Sequence, residues 1–184
     1  LVGESIGGAL ALTVAASIPG RVRKVIASNP YDYDTRYGDG IRRGSGFANF
    51  IIGSLQIPVF GAFFASVENK MVLGKVMAGG YKDPRKLPGD LLTQFDHAAR
   101  RSGYSAASRK VLAGWKSWSA ARALYANVKS PVTLVYGESD WSRADERKRT
   151  ASLLPGAKVV TMKNIGHFAA VENPEGLLAA ILQS

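Results

Sequence analysis

Two stretches of alternating strand and helix signals, separated by residues 36–125, constrain this chain more than any other feature of it. Leu1-Val2 reads as the end of a buried strand, followed by a glycine-rich corner over 3–8. Residues 9–17 are apolar on nearly all sides, which predicts a buried helix that Pro19-Gly20 stops. Residues 22–27, with β-branched Val25 and Ile26, read as the next strand. The pattern resumes with a continuous apolar strand over 132–136 and a helix over about 143–154. A strand over 158–162 and a last helix over 175–183, opened by Pro174, complete it. Strand, helix, strand at this spacing is a βαβ unit, so the fold class is α/β with a parallel sheet.

The middle of the chain shows helical patterning broken at Pro58, Gly79-Gly80, Pro84, Pro88-Gly89 and Gly103. Helices are expected from Pro88 to about Arg101 and as one piece over 106–125, with no strand. Residues 47–65 are apolar but interrupted by Asn49, Gly53, Ser54, Gln56, Pro58 and Gly61, which favours a buried or lid-like helical hairpin over a membrane span. The expected organisation is core over 1–35, a helical insertion over 36–125 and core again over 126–184.

The net charge of +10 sits almost wholly in that insertion, which carries 14 basic and 5 acidic groups. A solvated basic face explains this. Contact with an anionic membrane surface is compatible with it, and no nucleic-acid motif accompanies it. With no cysteine, the chain has no disulfide, no thiolate metal site and no cysteine nucleophile, and this fits a reducing, cytoplasmic setting. No targeting segment can be read from Leu1 onward.

Gly3-Glu4-Ser5-Ile6-Gly7 fits G-x-S-x-G at a strand-to-helix junction. Such a corner holds the serine on a sharp, strained turn at the carboxyl end of the sheet. Small residues on either side allow helix and strand to approach. The Ile6 N–H then points where an oxyanion would form. A glycine-rich turn without chemistry gives the same motif, so the rest of the chain has to decide. Only two histidines are present. His167 lies in Gly166-His167-Phe168 after the last strand, whereas His97 falls in the helical insertion and reads as a packing or surface residue. Gly137-Glu138-Ser139-Asp140-Trp141 follows a strand and offers Asp140 as an acid. Glu138, Asp32 and Asp34 compete with it, the first as a loop hydrogen-bonding group and the last two as turn residues.

The run Val2-Gly3-Glu4-Ser5-Ile6-Gly7-Gly8-Ala9-Leu10-Ala11 resembles the nucleophile elbow of the α/β-hydrolase superfamily. The order Ser5, Asp140, His167 is that family's order of nucleophile, acid and base. The resemblance implies a serine hydrolase that cleaves an ester or related acyl bond through an acyl-enzyme, without metal or cofactor, on a small-molecule acyl substrate. It leaves open a carbon–carbon bond hydrolase, an acyltransferase, a perhydrolase or a catalytically silent binding protein. Serine at the elbow speaks against dehalogenase and epoxide hydrolase chemistry, which use aspartate there in this family. The helical insertion resembles the family's cap, with Phe47, Phe50, Phe60, Phe63, Phe64, Trp115 and Trp118 as candidate lining or as the insertion's own core. The resemblance covers only the second half of the family fold. It implies roughly 80 further residues, among them the second oxyanion donor. It also implies an elbow strand left as an exposed apolar edge, and a stretch that alone neither folds stably nor catalyses.

Overall fold

The computed structural model describes residues 1–55 and 70–183. Phe60, Phe63, Phe64 and most of the expected 47–65 hairpin lie outside the described residues. The chain forms two compact units, one of residues 1–33 with 117–184 and one of residues 34–116.

The first unit is a parallel sheet of β1 (Val2–Glu4), β2 (Val25–Ser28), β3 (Val132–Gly137) and β4 (Lys158–Met162), paired in that order. Side chains alternate between its faces, as the twofold period of a strand requires. Val25, Ala27, Val132, Leu134 and Tyr136 pack with Ala11, Leu12 and Ala15 of α1 (Ile6–Ser17) and with Tyr125. On the opposite face Ile26, Val135 and Met162 pack with Leu177 and Ala180 of α10 (Pro174–Leu182). The sheet is therefore covered on both faces, which is why β2 and β3 are buried at every position.

Three local expectations change. The 22–27 strand starts only at Val25, because Pro19–Arg21 adds a 3₁₀ turn before it. The helix over 9–17 is not buried all round: Leu10 and Val14, four apart on one stripe, remain exposed, as does Val2 on the outer strand β1. The single helix over 106–125 is broken into α6 (Tyr104–Ala113), α7 (Trp115–Ala120) and a 3₁₀ segment (Ala121–Asn127). The break falls at Gly114, where glycine disfavours the helix interior. The 3₁₀ segment carries Tyr125 into the sheet's core, so residues 117–125 belong to the core unit and not to the insertion.

The second unit is helical, with α2 (Asp39–Arg43), α3 (Gly46–Ser54), α4 (Lys70–Ala78), α5 (Gly89–Ala99) and α6. Pro88 sits at the N-cap of α5, just ahead of the first turn. Ala48 and Ile52 of α3 are buried, whereas α4, α5 and α6 bury no residue. Lys70 ties α4 to α5 through its N–H on Asp96 (3.0 Å) and its Nζ on Thr93 (2.8 Å). Among the described residues no helix is long and apolar enough to cross a membrane.

Candidate active site

The three loops at the carboxyl ends of β1, β3 and β4 meet around one side chain, His167. Ser5 follows β1 and adopts φ 58°, ψ −126°, a strained conformation for a residue with a Cβ. Its backbone N–H donates to Ser28 O (2.9 Å), and its carbonyl accepts from Gly8 (3.0 Å), Ala9 (3.3 Å) and Tyr31 (3.0 Å). The corner closes because Gly3 has no side chain: a Cβ there would lie 2.1 Å from Gly7 O. The second motif glycine plays a different part from the one expected. A Cβ on Gly7 meets nothing within 4 Å, and the crowded neighbour is Gly8, where a Cβ would lie 3.2 Å from Pro30 Cα. Ile6 opens α1, so its N–H belongs to the first turn, whose amides have no intrahelical acceptor and lie at the positive end of the helix dipole.

His167 is fully buried. Its Nε2 lies 2.8 Å from Ser5 Oγ and its Nδ1 lies 2.5 Å from Asp140 Oδ1. Asp140 is buried, and burial alone would raise its pKa. Hydrogen bonds from His167 and Ser142, and the nearby imidazole, outweigh burial and hold the carboxyl below the usual aspartate value. Ser142 donates both its N–H (3.1 Å) and its hydroxyl to Asp140 Oδ2, and Arg147 Nε donates in turn to Ser142 Oγ (2.9 Å). An ionised Asp140 can only accept, so Nδ1 carries the imidazole proton and Nε2 presents its lone pair to the Ser5 hydroxyl. Serine proton, imidazole and carboxylate thus stand in one line.

Glycine again permits the approach on the acid side. A Cβ on Gly137 would fall 2.0 Å from Gly166 O and 2.6 Å from Ile165 O, so the acid and histidine loops touch only because β3 ends in glycine.

Three side chains outside the sequence-predicted set, together with Glu138, hold this arrangement. Asn29, fully buried at φ 43°, donates through Nδ2 to His167 O (2.8 Å) and Gly166 O (3.3 Å) and accepts at Oδ1 from Gly137 N (2.8 Å). Glu4 accepts from Ala170 N (3.0 Å) and Ser28 Oγ (3.3 Å), joining the elbow to the start of α9 (Ala169–Glu172). Burial raises the Glu4 pKa against these bonds. Glu172 accepts from Gly166 N (2.8 Å). Glu138, a competing acid in the sequence, accepts from Asn164 N (3.1 Å) and so tethers the histidine loop. Their local signals, a turn-forming Asn-Pro and loop glutamates, do not reveal partners that are mostly far along the chain.

The other candidates lie elsewhere. Asp32 pairs with Thr150 Oγ1 (3.1 Å) and Arg122 Nε (3.7 Å), and Asp34 Oδ1 accepts from Gly40 N (3.0 Å). His97 is on α5 of the helical unit. Phe47 lies under Lys75 Nζ, 5.1 Å from the ring centre, Phe50 is 60% exposed, and Trp115 and Trp118 are on α7. No group of three or more metal-ligating side chains occurs among the described residues.

A model of the alpha/beta hydrolase fold family matches residues 1–174. The chain belongs to that family. Its parallel sheet flanked by helices matches solved α/β-hydrolase structures. Three solved structures illustrate the likeness. A meta-cleavage product hydrolase from Pseudomonas fluorescens IP01 has TM-score 0.74 and 12% identity over 99% of this chain. Cfl2 from Burkholderia cenocepacia has TM-score 0.78 and 18% identity over 100%. A mutant haloalkane dehalogenase DatA from Agrobacterium tumefaciens C58 has TM-score 0.76 and 22% identity over 100%. The chain spans 62%, 64% and 66% of those chains, respectively. No curated protein matches the sequence.

Proposed function

We propose that the protein is a serine hydrolase that cleaves an ester or related acyl bond through a covalent acyl-enzyme. The observation that carries this reading is the continuous relay from Ser5 Oγ through His167 to Asp140, at 2.8 and 2.5 Å. Ser5 Oγ attacks the carbonyl carbon as His167 Nε2 takes its proton. The carbonyl π electrons move to oxygen, and the Ile6 N–H stabilises that oxyanion. Asp140 holds the imidazole in the required tautomer and stabilises the imidazolium. Collapse of the tetrahedral intermediate expels the alcohol, which leaves with the proton from Nε2. A water molecule activated by the same nitrogen then attacks the acyl-enzyme, releases the acid and restores Ser5.

The structural neighbours carry unlike chemistries, so the fold does not choose the bond. A carbon–carbon bond hydrolase, an acyltransferase or a perhydrolase would use the same relay. Hydrolysis of p-nitrophenyl esters of graded acyl length by the full-length protein, beside Ser5→Ala and His167→Ala, separates these. Ester turnover lost in both folded variants supports the reading. A fluorophosphonate that labels Ser5 in a protein inactive on every ester keeps the machinery and overturns the bond. Absence of labelling leaves a binding protein on a hydrolase scaffold.

A further inference from the structure

The relay described above involves both ring nitrogens of His167 but not the faces of its ring. One face is occupied. The Trp141 indole stacks on the imidazole with centroids 3.9 Å apart and planes 20° apart. Tyr31 and Phe168 meet the same imidazole edge-on, at 6.1 Å and 83° and at 5.2 Å and 81°. They also brace the indole, Tyr31 at 6.3 Å and Phe168 at 5.6 Å, both near perpendicular. Trp141 is the residue after Asp140, so one turn of chain delivers the carboxylate to Nδ1 and the indole to the ring face.

We propose that Trp141 is a positioning residue that stabilises the imidazolium form of His167 through its indole face and fixes the plane in which Nε2 meets Ser5. This rests on His167 being the base. The physical ground is differential. A neutral imidazole on an indole gains dispersion only. Once His167 has taken the serine proton, its charge also lies against the negative face of the indole's quadrupole, and in a buried site that attraction is screened little. The stack therefore favours the charged ring more than the neutral one, and the charged ring is what forms as the oxyanion forms.

Other groups act on the same ring. Asp140 meets Nδ1, Ser5 meets Nε2, and Glu4 lies close enough for its charge to be felt. Glu172 and Glu138 bind backbone amides of the histidine loop, and Arg147 reaches Asp140 through Ser142 and the Asp140 carbonyl (3.4 Å). Removing the indole leaves all of these in place, so the effect of Trp141 can be read separately.

The readout is the rate at which a fluorophosphonate labels Ser5 as a function of pH, in the full-length protein, because it needs no knowledge of the substrate. Trp141→Leu should slow labelling on the alkaline plateau and move the acidic limb to lower pH by about half to one and a half units, since the imidazolium loses its support. Trp141→Phe, which restores an aromatic face, should return most of both effects. Should Trp141→Leu fail to fold, a fluorinated tryptophan at position 141 keeps the shape, weakens the negative face and should move the limb the same way. A limb that stays in place in the folded Leu variant or in the fluorinated protein overturns the proposal. The reading beneath it fails separately, if His167→Ala labels as fast as wild type.

Discussion

Two buried aspartates, one after each of two paired strands, behave in opposite ways. Asp140 follows β3 and Asp32 follows β2, and both are almost fully shielded from solvent. Asp140 accepts from an imidazole, a hydroxyl and an amide, and its carboxyl is held below the usual value. Asp32 is pushed up to about 6 by burial, which Arg122, Thr150 and Tyr125 offset only in part. Its Arg122 contact explains why: the short bond, 2.5 Å, goes from Nε to the Asp32 backbone carbonyl, and the carboxylate is reached only at 3.7 Å. Burial alone does not make a carboxylate fit to orient a histidine. Asp140 has separate donors on its two oxygens, whereas one hydroxyl, Thr150 Oγ1, is shared between both oxygens of Asp32 (3.2 and 3.1 Å).

The largest expected effect separates the two aspartates by activity. Asp140→Asn should lower turnover by about 10⁴-fold with the fold retained, because an amide cannot hold the imidazole in the required tautomer. Asp32→Asn should leave turnover within about threefold, a free-energy difference under about 1 kcal/mol. Steady-state rates on one substrate check both, and an equal loss in the two would erase the comparison.

Next comes stability against pH. The folded pKa of Asp32, about 6, lies above its ordinary 3.8. Between these values the native state binds a proton that the unfolded chain has released, so this group's contribution falls as pH rises and is fully unfavourable above about pH 6. Asp140 has the opposite sign. Its contribution is present above the ordinary value of 3.8 and is lost as pH falls through its lowered folded pKa. Urea unfolding should show wild type losing about 2 kcal/mol relative to Asp32→Asn from pH 4 to pH 7. A flat difference would mean that Asp32 is charged and well paired throughout.

Asn29 pins Gly137 of the acid loop to Gly166 and His167 of the histidine loop. Asn29→Gly keeps the positive φ comfortable and removes only the carboxamide. It should cost about 2–3 kcal/mol by urea unfolding, since a buried amide and buried carbonyls lose their partner. The smallest effect belongs to Ser142→Ala, which takes one donor from Asp140 and leaves the imidazole and the backbone amide. A rate loss of about tenfold at neutral pH, with Asp140→Asn far below it, would place Ser142 as support for the carboxylate.

The sequence makes the relay legible and leaves its supports hidden, for one physical reason. A strand-to-helix corner needs Gly3 beside Ser5, and the acid and histidine loops each open beside a glycine, so residue type and chain order carry the pattern locally. Asn29 and Glu4 do their work with groups on distant stretches of chain, and nothing near them names those partners. The same holds for the stack of Trp141 on His167. The βαβ pattern gives the parallel sheet because strands buried on both faces have to be continuously apolar. Yet it overstates the burial of α1, whose Leu10 and Val14 are exposed. Helical patterning over 106–125 likewise runs through Gly114, where the helix breaks, and on to Tyr125, which packs against the sheet.

The most direct test of the central claim is the labelling of Ser5 by a fluorophosphonate in the full-length protein, wild type beside His167→Ala, followed by peptide mapping. Rapid labelling confined to Ser5, and slowed by about 10³-fold or more when the imidazole is removed, is the expected result. Labelling at another serine, or at an equal rate without His167, would contradict the relay from Ser5 through His167 to Asp140.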